Sequence, residues 1–412
     1  MTDTVIVGPT LADFDEARER VSKVADITPM ETARFLSEVL GSDVFMKCEN
    51  LQRTGSYKIR GAYNRLSQLS DEEKARGVVA ASAGNHAQGV AFAARELGIA
   101  ATIFMPVGVA LPKLLATRGY GADVVLRGHT VEEPLRAAAE FAEETGAIFI
   151  HPFDHEHVVA GQGTVGLEIL DQVPDVDTVI VPIGGGGLIS GVASVLKQRA
   201  ALEGRTIRVI GVQATNAAPY PLSLINGHVT EIVTQPTIAD GINVARPGAL
   251  NFDIVRDTVD EVVTVDDDVT ARAMLLVLER GKLVVEPAGA VGVAAILAGH
   301  IKDTGKTVVI LSGGNIDPMM MERIIAHGLA ASERYLKLRI PLPDRPGQLA
   351  RTAALVAEAN ANVVEVLHTR HTGGMQISQV ELELHIETRG PQHADEVLQR
   401  LRDEGYEPRI DF

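Results

Sequence analysis

The sequence predicts an α/β body of two lobes followed by a small βαββαβ domain, and three observations carry that prediction. Short β-rich runs alternate with longer helical patterns from about Asp43 to Val125 and again after His151, as strand-crossover-strand units of parallel sheets do. Beyond Ser332 to Arg334 the pattern changes to alternating, half-buried strands. A chain of 412 residues is also longer than one ordinary core accommodates.

The elements follow in order. A strand at Val78 to Ala81, a helix at Ala87 to Leu97 and a strand at Thr102 to Met105 place a smaller lobe at roughly residues 55–150. Thr178 to Val181 reads as a buried strand, Leu188 to Arg199 as a helix and Ile207 to Val212 as a strand. Thr307 to Leu311 is a further apolar strand, and a helix after Asp317 runs out around Ala331, which closes a body of residues 1–332. In residues 335–412 a strand at Tyr335 to Ile340 precedes a helix after Pro346. Strands at Val363 to Thr369 and Ile377 to Ile386 are joined by Gly373-Gly374 as a hairpin is. A helix around Ala394 to Leu401 and a strand near Pro408 complete a ferredoxin-like order.

Composition narrows the function. With 46% hydrophobic and 22% charged residues the chain can bury a large core. Lys+Arg 38 against Asp+Glu 54 gives a net charge of -16, a field that repels nucleic acid and anionic membranes. Cys48 is the single cysteine, so no intrachain disulfide forms, and a reducing compartment is compatible. Met1 to Thr4 opens without a basic segment leading into an apolar run, and no stretch is long enough to span a bilayer. The cytoplasm is the expected location.

Four segments carry chemistry. Gly55-Ser56-Tyr57-Lys58-Ile59-Arg60-Gly61-Ala62 holds a lysine between glycines before a helical stretch. A rigid, partly desolvated amine there can attack a carbonyl, although a lysine at a helix start is more often a solvated charge. Gly184-Gly185-Gly186-Gly187-Leu188 lies between a strand and a helix, where backbone N–H groups can converge on a phosphate; a merely flexible turn is the plainer alternative. The spacing is not the dinucleotide fingerprint, because Ile189 and Ser190 stand where a third glycine is needed. Gly305-Lys306-Thr307 is not a nucleotide loop either, since the earlier glycine position is His300. Ser82-Ala83-Gly84-Asn85-His86 offers amides to a carboxylate, and Ser312-Gly313-Gly314-Asn315 follows a strand. Ligands of open α/β sheets bind at such carboxyl ends of strands. Two other features have plain readings: Asp266-Asp267-Asp268 caps a helix beginning near Thr270, and His155-Glu156-His157 lacks the spacing of a metal pair.

These segments, with Thr28-Pro29, Lys47-Cys48-Glu49-Asn50-Leu51-Gln52, Gly161-Gln162-Gly163-Thr164 and Glu286-Pro287-Ala288-Gly289-Ala290, resemble in order the fold-type II pyridoxal-phosphate enzymes, and specifically threonine ammonia-lyases. The resemblance spans nearly the whole chain. It implies pyridoxal 5'-phosphate as cofactor, Lys58 as the residue bonded to it and as the base, and Asn85 beside its phenolic oxygen. It further implies Gly184 to Gly187 and Leu188 around the phosphate, Ser312 at the pyridine nitrogen, and Ser82 to His86 around the carboxylate of an amino-acid substrate. The implied reaction is β-elimination from threonine, with serine a second substrate and no metal. Tyr57 departs from the family's usual phenylalanine and is expected to pack similarly.

Two related activities fit less well. Serine racemases resembling this chain carry serine where Ala83 stands, and carboxylates for a divalent cation where Gln213 and Ala217-Ala218-Pro219 stand. β-Replacement enzymes and threonine synthases usually show Lys-Asp-Arg, here Lys58-Ile59-Arg60. A catalytically silent amino-acid sensor is the alternative of another class. Asp344-Arg345-Pro346-Gly347-Gln348-Leu349 and the βαββαβ order resemble an ACT domain, which implies an amino-acid effector and pairing of chains into a homodimer or homotetramer.

Overall fold

The computed structural model describes residues 8–130, 132–369 and 379–411. It divides into two compact units, Met1–Pro318 and Met319–Phe412. The strands in chain order are β1 (Met30–Thr32), β2 (Val44–Lys47), β3 (Val78–Ala81), β4 (Ala101–Met105), β5 (Asp123–Leu126), β6 (Ile148–Phe149) and β7 (Thr178–Pro182). They continue with β8 (Arg208–Ala214), β9 (Glu261–Val265), β10 (Thr307–Ile310), β11 (Tyr335–Pro343), β12 (Asn362–Thr369), β13 (Gln379–Glu387) and β14 (Arg409–Asp411).

The first unit is built on two sheets, one of order β1-β2-β10-β7-β8-β9 and one of order β5-β4-β3-β6. Every pair is parallel except the antiparallel β1 and β2. Strands β7 and β10 are buried along their whole length, because helices cover both faces of a parallel sheet; hence their continuous apolar sequences. Each sheet has its own core, one around Ile59, Val90 and Ile103 and the other around Val179, Ile189, Val209 and Val308.

Small residues set how closely the helices meet. Helix Lys58–Leu66 packs against Asn85–Leu97 and against Glu156–Gln172. A Cβ at Gly161 would lie 2.6 Å from the Arg60 carbonyl oxygen, so the second contact is closer than any side chain permits. Beneath it lies a buried ionic cluster. Arg60 Nη2 and Nη1 bond Glu49 at 2.8 Å and Glu168 at 2.6 Å, and Lys47 Nζ bonds the other Glu168 oxygen at 2.6 Å. These links tie the start of the Lys58 helix to β2 and to helix Glu156–Gln172.

The second unit has the βαββαβ order expected from its sequence. Its sheet runs β12-β13-β11-β14 with antiparallel pairs throughout. Leu336, Leu338, Ile340 and Leu342 of β11 alternate inward and pack with Leu355, Val397 and Leu401 of helices Gln348–Glu358 and Pro391–Asp403. The expected Gly373-Gly374 hairpin and the strand start at Ile377 lie outside the described residues.

Candidate active site

Three of the four segments singled out in the sequence come together around one stretch, Ile150 to Asp154, and the fourth, Ser312 to Asn315, is bonded to the Lys58 segment through Tyr57 and Gly55. Lys58 is the first residue of helix Lys58–Leu66, and its Nζ donates to the Pro152 carbonyl at 3.1 Å. Burial pushes its ammonium down to about 8, and the nearby Glu286 carboxyl only partly opposes this. The amine is therefore close to shedding its proton at neutral pH.

The next residue, Phe153, packs on the glycine segment. Cβ atoms at Gly185 and Gly187 would lie 2.4 Å from its ring and 3.0 Å from its own Cβ, while one at Gly186, where φ is +105°, would lie 2.0 Å from the Tyr220 hydroxyl. The carbonyl of Gly185 accepts from Tyr220 Oη at 3.1 Å and Asn251 Nδ2 at 3.3 Å, which turns the peptide edges outward. Among the described residues the N–H groups of Gly184 to Leu188 have no acceptor, and Gly187 opens helix Gly187–Leu202. Unpaired N–H groups at a helix N-terminus form an anion site.

Ser82 to His86 stand at the carboxyl end of β3. Helix Asn85–Leu97 begins two residues earlier than its sequence suggests, since Gly84 precedes it without a capping side chain. Ser82 Oγ accepts from the Gly84 N–H at 3.1 Å, and the N–H groups of Ala83, Asn85 and His86 have no acceptor among the described residues. His86 Nε2 donates to the Ile150 carbonyl at 2.9 Å, and burial with the Lys58 charge pushes this imidazole down to about 3, so it is neutral. Ser312 follows β10 and is buried; its carbonyl accepts from the Tyr57 N–H at 3.2 Å, and its hydroxyl has no partner among the described residues.

Glu286, Asn315 and Phe153 complete the site without having been assigned roles from the sequence. Glu286 and Asn315 were visible only as members of quoted motifs. Glu286 is buried, and burial together with Asp240 pushes its carboxyl up to about 7. The two plainly read features are helix caps: Asp266 accepts from the Val269 N–H at 2.8 Å and His155 from the His157 N–H at 3.1 Å.

A family model described as pyridoxal-phosphate dependent enzyme matches residues 21–313 of this sequence. The chain belongs to that family. The model of the ACT domain matches residues 338–405. L-threonine ammonia-lyase of Thermotoga maritima is 47% identical over 97% of this chain and 99% of its own length. Among solved structures, the processed form of threonine deaminase isoform 2 from Solanum lycopersicum is 38% identical and covers 78% of this chain and 95% of its own, with a TM-score of 0.72. Maize serine racemase is 37% identical over 78% of this chain and 98% of its own, with a TM-score of 0.70. As in other pyridoxal-phosphate dependent enzymes, the cofactor brings an aldehyde, a ring and a dianionic phosphate. The residues here fit such a group: a buried amine of lowered pKa, a free hydroxyl at Ser312, and N–H groups without acceptors in a loop that any side chain would fill. Among the described residues no group of three or more His, Cys, Asp or Glu is placed to hold a metal ion, and no helix is long and apolar enough to cross a membrane.

Proposed function

We propose that this chain eliminates water and ammonia from L-threonine to give 2-oxobutanoate, acts on L-serine as a second substrate, and answers to an amino-acid effector through its C-terminal domain. The observation that carries the reading is the convergence of Lys58, the Gly184 to Leu188 loop and Ser82 to His86 on one stretch of chain, with Ser312 bonded to the residue before Lys58, in a sequence collinear with an L-threonine ammonia-lyase.

Pyridoxal phosphate, when bound, supplies an electron sink that makes the Cα proton of an amino acid removable. The chain's residues do the rest. Lys58 would hold the cofactor, and its amine, neutral once deprotonated, would serve as the base for the Cα proton. The N–H groups of Gly184 to Leu188 hold the phosphate at the positive end of their helix. The Ser312 hydroxyl would hold the ring nitrogen without the charge that would keep it protonated, which would favour prompt loss of the β-hydroxyl over side reactions such as transamination. Ala83, Asn85 and His86 present their free N–H groups to the substrate carboxylate, and neutral His86 does not compete for the proton. Ala83 carries no group that could deliver a proton to the opposite face, which weighs against racemisation.

The assay is 2-oxo acid formation from threonine and serine, each with and without isoleucine and valine. Turnover of threonine supports the reading, and turnover of neither substrate refutes it. A silent sensor would lack the yellow colour of the bound cofactor and a borohydride-stable adduct on Lys58. In the cytoplasm, pairing of C-terminal domains would form the effector site at Asp344 to Leu349, where Gly347 (φ +91°) opens helix Gln348–Glu358. A chain ending near Ser332 is then expected to keep elimination and lose the effector response. An undiminished response in the truncated chain would overturn the regulatory assignment.

A further inference from the structure

Asn85 is held by a chain of hydrogen bonds drawn from three distant parts of the sequence. Asn315 Nδ2 donates to the Thr54 carbonyl at 2.7 Å and to Asn85 Oδ1 at 2.9 Å, so both of its protons are committed. On the other side, Asn85 Nδ2 donates to Glu286 Oε1 at 2.7 Å. Asn315 can only donate at that position and Glu286 accepts, so the Asn85 amide has a single orientation, with one N–H left over. Two motif glycines make room for this chain. A Cβ at Gly55 (φ +73°) would lie 2.2 Å from Asn315 Oδ1, and one at Gly313 would lie 2.3 Å from Glu286 Oε1 and 3.1 Å from Asn85 Nδ2.

We propose that Glu286 and Asn315 are positioning residues that lock the Asn85 amide so that its free N–H faces the cofactor, and that Glu286 does so as a hydrogen-bond acceptor and not as a charge. The proposal rests on Asn85 contacting the cofactor. Burial supports the second clause: a carboxyl pushed up to about 7 changes charge near neutrality, and in either state keeps an oxygen able to accept from Asn85.

The test measures cofactor dissociation and the visible absorption of the holoenzyme for single and double variants, with far-ultraviolet circular dichroism as the check on folding. Glu286→Ala and Asn315→Ala are each expected to weaken cofactor binding about tenfold, the scale on which losing a buried hydrogen-bond partner acts, and to shift the visible band. Glu286→Gln, which keeps an acceptor oxygen without the charge, is expected to remain within twofold of the parent. In an Asn85→Ala background, adding Glu286→Ala should cost nothing further, because both act through one amide.

The proposal is overturned if Glu286→Ala leaves both readouts unchanged, if Glu286→Gln is as damaged as Glu286→Ala, or if the effects of Asn85→Ala and Glu286→Ala multiply. Should Glu286→Ala fail to fold, Asn315→Ala decides by the same two readouts. If Asn85→Ala alone changes neither readout, the contact between Asn85 and the cofactor is itself wrong and the inference falls with it.

Discussion

Replacing Glu168 with Gln probes what anchors the Lys58 helix. Lys47, Glu49, Arg60 and Glu168 side chains are 0%, 0%, 1% and 8% exposed, and their formal charges cancel. The substitution leaves the cluster with one uncompensated positive charge: Lys47 loses its carboxylate partner and Arg60 one of its two, each at 2.6 Å, while Glu49 stays with Arg60. Breaking a buried ion pair costs about 3–5 kcal/mol. Gln retains one acceptor oxygen, which places the loss near the lower end, about 3 kcal/mol. For a unit the size of Met1–Pro318, with an unfolding entropy of about 2.1 cal/mol/K per residue, that lowers the midpoint of thermal unfolding by roughly 4–5 °C. Differential scanning calorimetry of the holoenzyme reads it directly. Burial raises the Glu168 carboxyl, but Arg60 and Lys47 outweigh burial and hold it below the ordinary carboxylate value. Its contribution is therefore present above the unfolded pKa of about 4.3 and lost as pH falls through the lower folded value, so the gap between parent and variant should narrow in acid. A midpoint within 2 °C of the parent at neutral pH would refute the anchoring argument.

The remaining predictions concern the site. Lys58, pushed down to about 8, must be neutral to attack the cofactor aldehyde, so capture of cofactor by the apoenzyme should quicken about tenfold per pH unit below that value and level off above it; a flat stopped-flow profile would contradict this. Gly186→Ala places a Cβ 2.0 Å from the Tyr220 hydroxyl at a φ of +105°, and should weaken cofactor binding at least about tenfold by closing the anion loop; unchanged affinity in a dialysis titration would remove the loop from the site. Ala83→Ser supplies a hydroxyl where a second-face proton donor is needed, and should give D-serine above the parent level; chiral analysis finding none in an active variant would exclude that role for the position.

How much of this was legible in the sequence depended on how local its cause is. Strands such as β7 and β10 announce themselves as unbroken apolar runs because both faces are covered. The four-glycine loop is legible because glycine is costly without a use. Glu286 and Asn315 are not, because their partners lie far away in the chain: Asn85 is 201 residues before Glu286, and Thr54 is 261 before Asn315. Lys47, Arg60 and Glu168 are hidden for a further reason. Charged residues are ordinarily solvated, and only the fold reveals that these neutralise one another in the interior. The sequence points to a start at Ala87 for helix Asn85–Leu97, two residues late, because Gly84 offers none of the side chains that mark an N-cap.

The place of β10 between β2 and β7 has a consequence for how the protein is made. A ribosome releases β2 and β7 long before residue 307, so the growing chain carries two facing strand edges with nothing between them. Such edges bind other chains readily, and the nascent enzyme is most vulnerable to aggregation while the middle strand is still inside the exit tunnel. Ser312 and Asn315 emerge just after that strand. The proposed cofactor site is thus finished by the last segment of the body to be synthesised, and a polypeptide halted before Thr307 should neither turn yellow nor stay in solution.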